Sequence, residues 1–350
     1  MNELPGSILA DYLEGALSFR VSGEGLQPLR LSDRAMDFSH EALRSPIAAE
    51  ACNGVRLRFH TDATTVTVEM SLVISERTAF ALDVGGMSAP AIDLVVDGAL
   101  RERRILPHHD RPQVNTFDGL SLNGSVVEVW LPHNVGAVIH RLSSDAPLDP
   151  VVDSRPRWLV HGSSISHDAQ AEGPSDTWPA QLARARGWHL THLGFRGECH
   201  LDPFVAREIA GARADLVTLE LGINVHNFQS MRERTFSPAV HGFLQTIRDT
   251  LPDTPLTVVS PVFGAERESQ ASSVTLDGRE LHGDLTLSII RDILHEAVSR
   301  RRDSGDQRVF AVNGLDLLGP GDARLFPDGL HPNAEGSRLI AQRIAPSLPG

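Results

Sequence analysis

The sequence predicts a two-part α/β protein: an all-β sandwich over residues 1–153, then an α/β domain with a parallel sheet over 154–350. Three observations carry this. The chain has 350 residues, more than a single hydrophobic core usually organises. Up to about residue 150 apolar and polar side chains alternate with period two. Beyond Pro156 short apolar runs alternate with helical patterns instead.

In the first part, Val55, Leu57 and Phe59 alternate with polar neighbours. The pattern returns at Val66, Val68 and Met70, at Ile92, Leu94 and Val96, and at Val127, Val129 and Leu131. Such strands bury one face and wet the other, as in an antiparallel sheet. Asp97-Gly98, Asp118-Gly119 and Asn123-Gly124 supply turn chemistry between them. No stretch here makes a convincing amphipathic helix, so the expectation is a β-sandwich.

In the second part, strands are expected at 158–160, 189–193, 216–221, 256–260 and 309–312. Helices are expected at 178–186, near 204–210, and at 240–250, 285–302 and 337–344. Strands alternating with helices imply a parallel sheet flanked by helices. Residues 154–157, Ser-Arg-Pro-Arg, mark the junction, and no internal repeat is evident.

Composition removes several function classes. The formal net charge is -13, which disfavours wrapping nucleic acid. Arg300, Arg301 and Arg302 fall at the end of an expected helix, where cations complement the helix dipole. The chain has no lysine, so all 32 basic residues are arginine. That excludes a Walker-type phosphate loop, a Schiff-base lysine and a Ser–Lys dyad. Cys52 and Cys199 are too few for a disulfide framework, which points to a reducing compartment. The N-terminal residues lack the basic and apolar regions of a secretory signal. No run approaches the roughly 20 apolar residues of a membrane span. A cytoplasmic protein without membrane or nucleic-acid partners is expected.

Chemistry in an open α/β sheet gathers beyond the carboxyl ends of the strands, near the switch in strand order. Four segments follow expected strands: His161-Gly162-Ser163-Ser164-Ile165-Ser166, Gly194-Phe195-Arg196-Gly197-Glu198, Gly222-Ile223-Asn224-Val225 and Asp328-Gly329-Leu330-His331-Pro332. Their side chains are complementary. A serine hydroxyl needs a base to take its proton, and an imidazole suits that task. A carboxylate three residues from the imidazole can hold its tautomer. Ser164, His331 and Asp328 are therefore the candidate catalytic residues. A tetrahedral intermediate needs preorganised donors for its oxyanion. The N–H groups of Ser164 and Gly197 and the amide of Asn224 are the candidates, glycine allowing close backbone approach.

These four blocks, in this order, resemble those of the SGNH (GDSL-type) hydrolases over about residues 157–345. The resemblance implies a flavodoxin-like three-layer α/β/α domain, with the nucleophile, oxyanion donors and Asp–His pair at the residues just named. It implies no cofactor and no metal, and a small-molecule acyl donor with water or an alcohol as acceptor. Two positions depart from the family pattern: Ser163 and Val225 stand where aspartate is usual. A preceding sandwich, of jelly-roll-like type, resembles the two-domain bacterial branch. That branch includes carbohydrate-ester deacetylases and a salicylyl acyltransferase of tetracycline-type polyketide biosynthesis. The text T-H-L-G-F-R-G-E-C-H-L-D-P in the second block favours the acyltransferase-like side. A carbohydrate-ester deacetylase is the alternative within the family. A non-catalytic carbohydrate-binding protein is the alternative outside it, although Tyr12 is the sole tyrosine and stacking platforms are scarce.

Other residues carry weaker signals. Arg196 is a candidate to pair a substrate carboxylate or phenolate, or to bridge Glu198 or Glu220. His226 is a candidate for the pocket lining or for a surface loop. Cys199-His200 reads as a buried cysteine beside a loop histidine. His108-His109-Asp110 has ligand-type side chains but no partner at metal spacing. Residues 263–283 make a long strand–helix connection, of the kind that serves as a lid or forms a disordered excursion.

Overall fold

The computed structural model describes residues 2–45, 47–84, 86–276 and 279–349. The chain forms two compact units, one of residues 1–155 with 169–192 and the other of 156–168 with 193–350.

Two six-stranded antiparallel sheets build the first unit. One runs Ser18–Ser22, Gly25–Leu29, Gly136–Ser144, Val66–Val73 and Gln113–Phe117, with Asn2–Pro5 also paired to Gly136–Ser144. The other runs Asp149–Pro150, Arg56–Thr61, Ser125–Trp130, Ala91–Val96 and Ala99–Ile105, with Leu13–Glu14 added to Arg56–Thr61. The alternating residues of the sequence supply the core: Leu57, Phe59, Val66, Val68, Met70, Leu94, Val127 and Val129 are all fully buried in one cluster. Both residues of Asp97-Gly98 (φ 47° and 79°) and of Asn123-Gly124 (φ 42° and 78°) take the left-handed conformation that tight turns of this composition need.

The expectation of an all-strand half misses two short helices, Asp33–Phe38 and Glu76–Val84. Each begins at a serine. Ser32 Oγ accepts from the Ala35 N–H, and Ser75 Oγ from the Thr78 N–H. Capping of this kind nucleates a turn or two without the long apolar periodicity that announces a helix in sequence.

Arginine holds the polar interior of this unit. Arg30 is fully buried and donates to the carbonyls of Ala48, Ala51 and His192. Arg103 makes a bidentate pair with buried Asp93, whose Oδ2 also accepts from Ser175. Around Glu14 a denser network forms. Arg56 and Arg155 approach its Oε2 at 2.6 Å, and Arg58 its Oε1 at 3.2 Å. Asp153 accepts from His189 Nδ1 at 2.6 Å and from Arg155 Nε at 2.8 Å. Among the described residues, Glu14, Asp153 and His189 are the group whose ligand-type atoms lie close enough to share a metal ion. The three guanidiniums already neutralise these carboxylates, so the cluster reads as an ion-pair network.

A five-stranded sheet runs in the order His189–Gly194, Arg157–Gly162, Leu216–Glu220, Leu256–Val259, Val309–Val312, and its last four strands lie in the second unit. The last four are mutually parallel. Numbered along the chain, the order is 2-1-3-4-5, so strand order reverses between Arg157–Gly162 and Leu216–Glu220. The strands and helices fall where the sequence places them, with three differences. The helix expected at 240–250 begins seven residues earlier, as Glu233–Arg248, and accommodates Pro238 within its second turn. Three short helices, Ser164–His167, Ile223–Phe228 and Gly314–Leu317, follow closely on strands. The 263–283 connection folds into a short 3-10 turn, Ala265–Glu268, and a hairpin, Ser273–Leu276 with Arg279–His282; residues 277–278 lie outside the described residues. No described helix is long and apolar enough to cross a membrane.

The Glu14 network predicts an acid signature. Burial raises the Glu14 carboxyl, but Arg56, His189, Arg155 and Arg58 outweigh it and hold the group below its ordinary value. A depressed folded value stabilises fully above the unfolded value and is lost as pH falls through the folded one. Glu14→Gln should therefore destabilise the protein by about 3 kcal/mol at pH 7. In thermal melts from pH 7 to pH 3, the gap between wild type and variant should narrow below the ordinary glutamate value.

Candidate active site

Four strand-following segments converge at the carboxyl edge of the parallel sheet. Ser164 opens the helix Ser164–His167, and Ser163 caps that helix by accepting the Ile165 N–H at 3.0 Å. The cap turns the chain sharply at the strand end. Ser164 itself is 5% exposed.

The imidazole of His331 reaches this serine. Its Nε2 lies 2.9 Å from Ser164 Oγ, across 167 residues of chain. Its Nδ1 lies 2.6 Å from Asp328 Oδ2. A carboxylate can only accept there, so Nδ1 carries the proton and Nε2 presents its lone pair to the serine. The other Asp328 oxygen accepts from the backbone N–H groups of Leu330 (2.9 Å) and His331 (2.7 Å). Burial raises the Asp328 carboxyl, yet the hydrogen bonds from His331 and Leu330 hold it below its usual value. Gly329 takes a φ of 73° to close this turn. Asn333 caps the helix Ala334–Ile344 by accepting the Gly336 N–H, and Ser337 of that helix donates to Asp168 Oδ1 at 2.7 Å. The histidine segment and the serine segment are thus tied behind the reacting atoms as well as through them.

Asn224 lies in the helix Ile223–Phe228 and is buried. Its Oδ1 accepts the Cys199 N–H at 3.0 Å. A backbone N–H can only donate, which fixes the amide orientation and leaves the NH2 group for a ligand. Gly197 has a φ of 76°, and only Phe228 ring atoms, at 3.9 Å, would meet a side chain there.

The remaining candidates lie in adjoining segments. Arg196 is half-buried in the turn before Gly197. His226 is buried, with Nδ1 3.1 Å from Asn227 Oδ1 and Nε2 3.1 Å from the Gln270 carbonyl. It fastens the 263–283 connection, as do Gln229 on the Leu281 carbonyl and Arg232 on the His282 carbonyl. Arg291 makes a bidentate pair with Glu268 (2.7 and 2.6 Å), and Arg267 donates to the Gly329 carbonyl at 2.9 Å. The connection therefore braces the turn that carries His331. Cys199 is buried, and its thiol is raised well above the ordinary value by burial and by Glu220 and Asp202.

With this geometry in view, comparison with known proteins is informative. The sequence profile of the GDSL-like Lipase/Acylhydrolase family matches residues 160–339. The chain belongs to that family. Residues 11–140 match a second profile, the SsfX3 N-terminal domain. Among solved structures, the salicylyl-acyltransferase SsfX3 from a tetracycline biosynthetic pathway is similar over 98% of this chain and 95% of its own, at 26% identity and a TM-score of 0.82. A GDSL-like lipase from Bacteroides ovatus matches over 99% and 96%, at 18% identity and a TM-score of 0.75. A family two carbohydrate esterase from Clostridium thermocellum matches over 87% and 95%, at 15% identity and a TM-score of 0.59. No curated protein sequence matches. The fold is the sandwich plus SGNH-type domain expected from the sequence, and the protein is an enzyme of the GDSL esterase/acyltransferase class.

The Asp328–His331 pair predicts a spectroscopic signature. A short, charge-assisted bond to Nδ1 should place that proton far downfield in the 1H NMR spectrum. The resonance should persist in Ser164→Ala and disappear in Asp328→Asn and His331→Gln.

Proposed function

We propose that the protein is a serine-dependent acyltransferase working through an acyl-serine intermediate, with Ser164 as nucleophile, His331 as general base and acid, and Asp328 as its orienting partner. The 2.9 Å approach of His331 Nε2 to Ser164 Oγ carries this reading. Nε2 takes the hydroxyl proton as Oγ attacks the acyl carbonyl. The tetrahedral oxyanion is received by the N–H groups of Ser164 and Gly197 and by the Asn224 amide. His331 returns its proton to the departing group, which leaves the acyl chain on Ser164. An acceptor hydroxyl then gives its proton to His331, attacks the ester carbonyl and carries the acyl group away, restoring the serine. Water in place of the alcohol gives hydrolysis by the same steps.

The choice of transfer over hydrolysis, and of an aryl acyl group such as salicylyl carried to a natural-product hydroxyl, rests on similarity to the SsfX3 acyltransferase along both parts of the chain. Arg196, beside the oxyanion turn, has the chemistry to pair with a phenolate or carboxylate on such a substrate.

A fluorophosphonate probe should label the wild type and leave Ser164→Ala unlabelled. Asn224→Ala should lower kcat by about 10²–10³ with an activated aryl ester. In product analysis with that ester, an added alcohol should divert the acyl group from water. An absence of labelling would remove the acyl-serine, and a product mixture indifferent to every acceptor would leave a hydrolase.

A further inference from the structure

Beneath the nucleophile turn lies a carboxylate that the proposed cycle does not use. Glu220 ends the strand Leu216–Glu220 and is 4% exposed. Its Oε2 accepts from the Ser163 N–H at 2.8 Å, the Ser163 hydroxyl at 2.6 Å and the Ser166 hydroxyl at 3.2 Å. Burial outweighs these donors and holds the carboxyl above its ordinary value, although each donor favours the ionised form. The residues donating to Glu220 flank Ser164 on both sides. Ser163 Oγ also accepts the Ile165 N–H, so one chain of bonds runs from the helix start through the cap to the carboxylate.

Two further observations show how closely the turn is built around this group. A Cβ at Gly162 would lie 2.7 Å from Glu220 Oε2 and overlap Ser166 Oγ, so glycine is required where the carboxylate sits. The backbone of Glu220 faces the other half of the site. Its carbonyl accepts from Cys199 Sγ at 3.5 Å, and the Cys199 N–H holds Asn224 Oδ1. The sequence departs from the family pattern at the same place, with Ser163 where aspartate is usual.

We propose that Glu220 is a positioning residue that fixes the Ser164 turn in register with the Asn224 amide, supplying from the neighbouring strand the carboxylate that position 163 lacks. It touches no reacting atom. Its effect is to hold the Ser164 hydroxyl on the line between His331 Nε2 and the acyl carbonyl, where an error of about 1 Å costs about 10²-fold in rate. This rests on the acyl-serine reading.

An exchange of partners tests it. Glu220→Gln leaves the Ser163 and Ser166 donors only a neutral amide oxygen, a weaker acceptor than the carboxylate. Ser163→Asp sets a second carboxylate against the first, while keeping a good helix cap. Combined, the two changes restore one carboxylate facing one donor. Full-length wild type, Ser164→Ala, both single variants and the double variant are compared by fluorophosphonate labelling rate, p-nitrophenyl acetate kinetics and thermal melting. Each single variant should label about 10²-fold more slowly, with kcat reduced and KM within about twofold of wild type. The double variant should recover to within about tenfold of wild type, far above the product of the two single losses. If Glu220→Gln does not fold, the double variant must regain both the fold and the labelling. Labelling of Glu220→Gln at the wild-type rate, a loss confined to KM or melting temperature, or a double variant no better than additive would overturn the proposal. A wild type that does not label, or a Ser164→Ala that does, instead removes the acyl-serine reading and this inference with it.

Discussion

The hydrogen bond from Ser164 Oγ to His331 Nε2 joins segments 167 residues apart, and most of the second unit serves to make that meeting possible. Strand order reverses between Arg157–Gly162 and Leu216–Glu220, so the connections leaving these neighbours diverge at the carboxyl edge. Ser164 leaves the first strand and Asn224 the second. His331 arrives from the far end of the chain on a turn closed by Asp328 and Gly329. Arginine secures that turn: Arg291 grips Glu268, and Arg267 in the same short 3-10 segment holds the Gly329 carbonyl. A planar guanidinium can satisfy a carboxylate and backbone carbonyls together, as Arg291 does with Glu268, Pro261 and Val262. In a chain without lysine, arginine fills this bracing role in the first unit as well, through Arg30, Arg56 and Arg103.

Much of this was legible in the sequence because period and punctuation encode it. Alternation at period two located the sandwich strands, and apolar runs separated by amphipathic stretches located the parallel sheet. The four blocks announced themselves as small or polar residues placed just after apolar strands. Asp328 and His331 were readable as a pair because three residues of turn bring their side chains together. The unpredicted short helices were not legible, since four to six residues show no helical periodicity, Glu76–Val84 is only weakly amphipathic, and their starts depend on single caps such as Ser32 and Ser163. Pro238 concealed the first turns of Glu233–Arg248, because proline usually marks a helix start or a break.

Glu220 was the least legible residue. In sequence it reads as one more polar position beside a strand end, or as a partner for Arg196. Its contacts with Ser163 and Ser166 come from residues more than 50 positions away across neighbouring strands, and no local pattern records them. The available signal was a negative one: a turn residue, Ser163, departing from its family in charge. A lost carboxylate at a tight turn invites the question of what now accepts the freed donors, and a glutamate on the adjacent strand answers it.

The same unit contains another contact of a nucleophile-type side chain with an imidazole, and the contrast supports assigning the reaction to Ser164. Cys199 Sγ lies 3.5 Å from His161 Nε2, and His161 Nδ1 lies 2.8 Å from the Leu193 carbonyl. On atoms alone this resembles a nucleophile, a base and an orienting acceptor. Yet the orienting group is a neutral carbonyl, and the imidazole is packed between Phe195 and Phe243, with ring centroids at 5.6 and 5.7 Å. Burial raises the thiol, and nearby Glu220 and Asp202 disfavour a thiolate further. A thiol must ionise to attack, and this one is held in the form that cannot. Its sulfur instead anchors to the Glu220 carbonyl, so that its N–H can hold Asn224. Ser164 has different surroundings: a carboxylate behind the imidazole and a capped turn beneath. Distance to a histidine is shared by both residues, so it cannot be what distinguishes them. Charge behind the base separates the pair we assign to the reaction from the structural one.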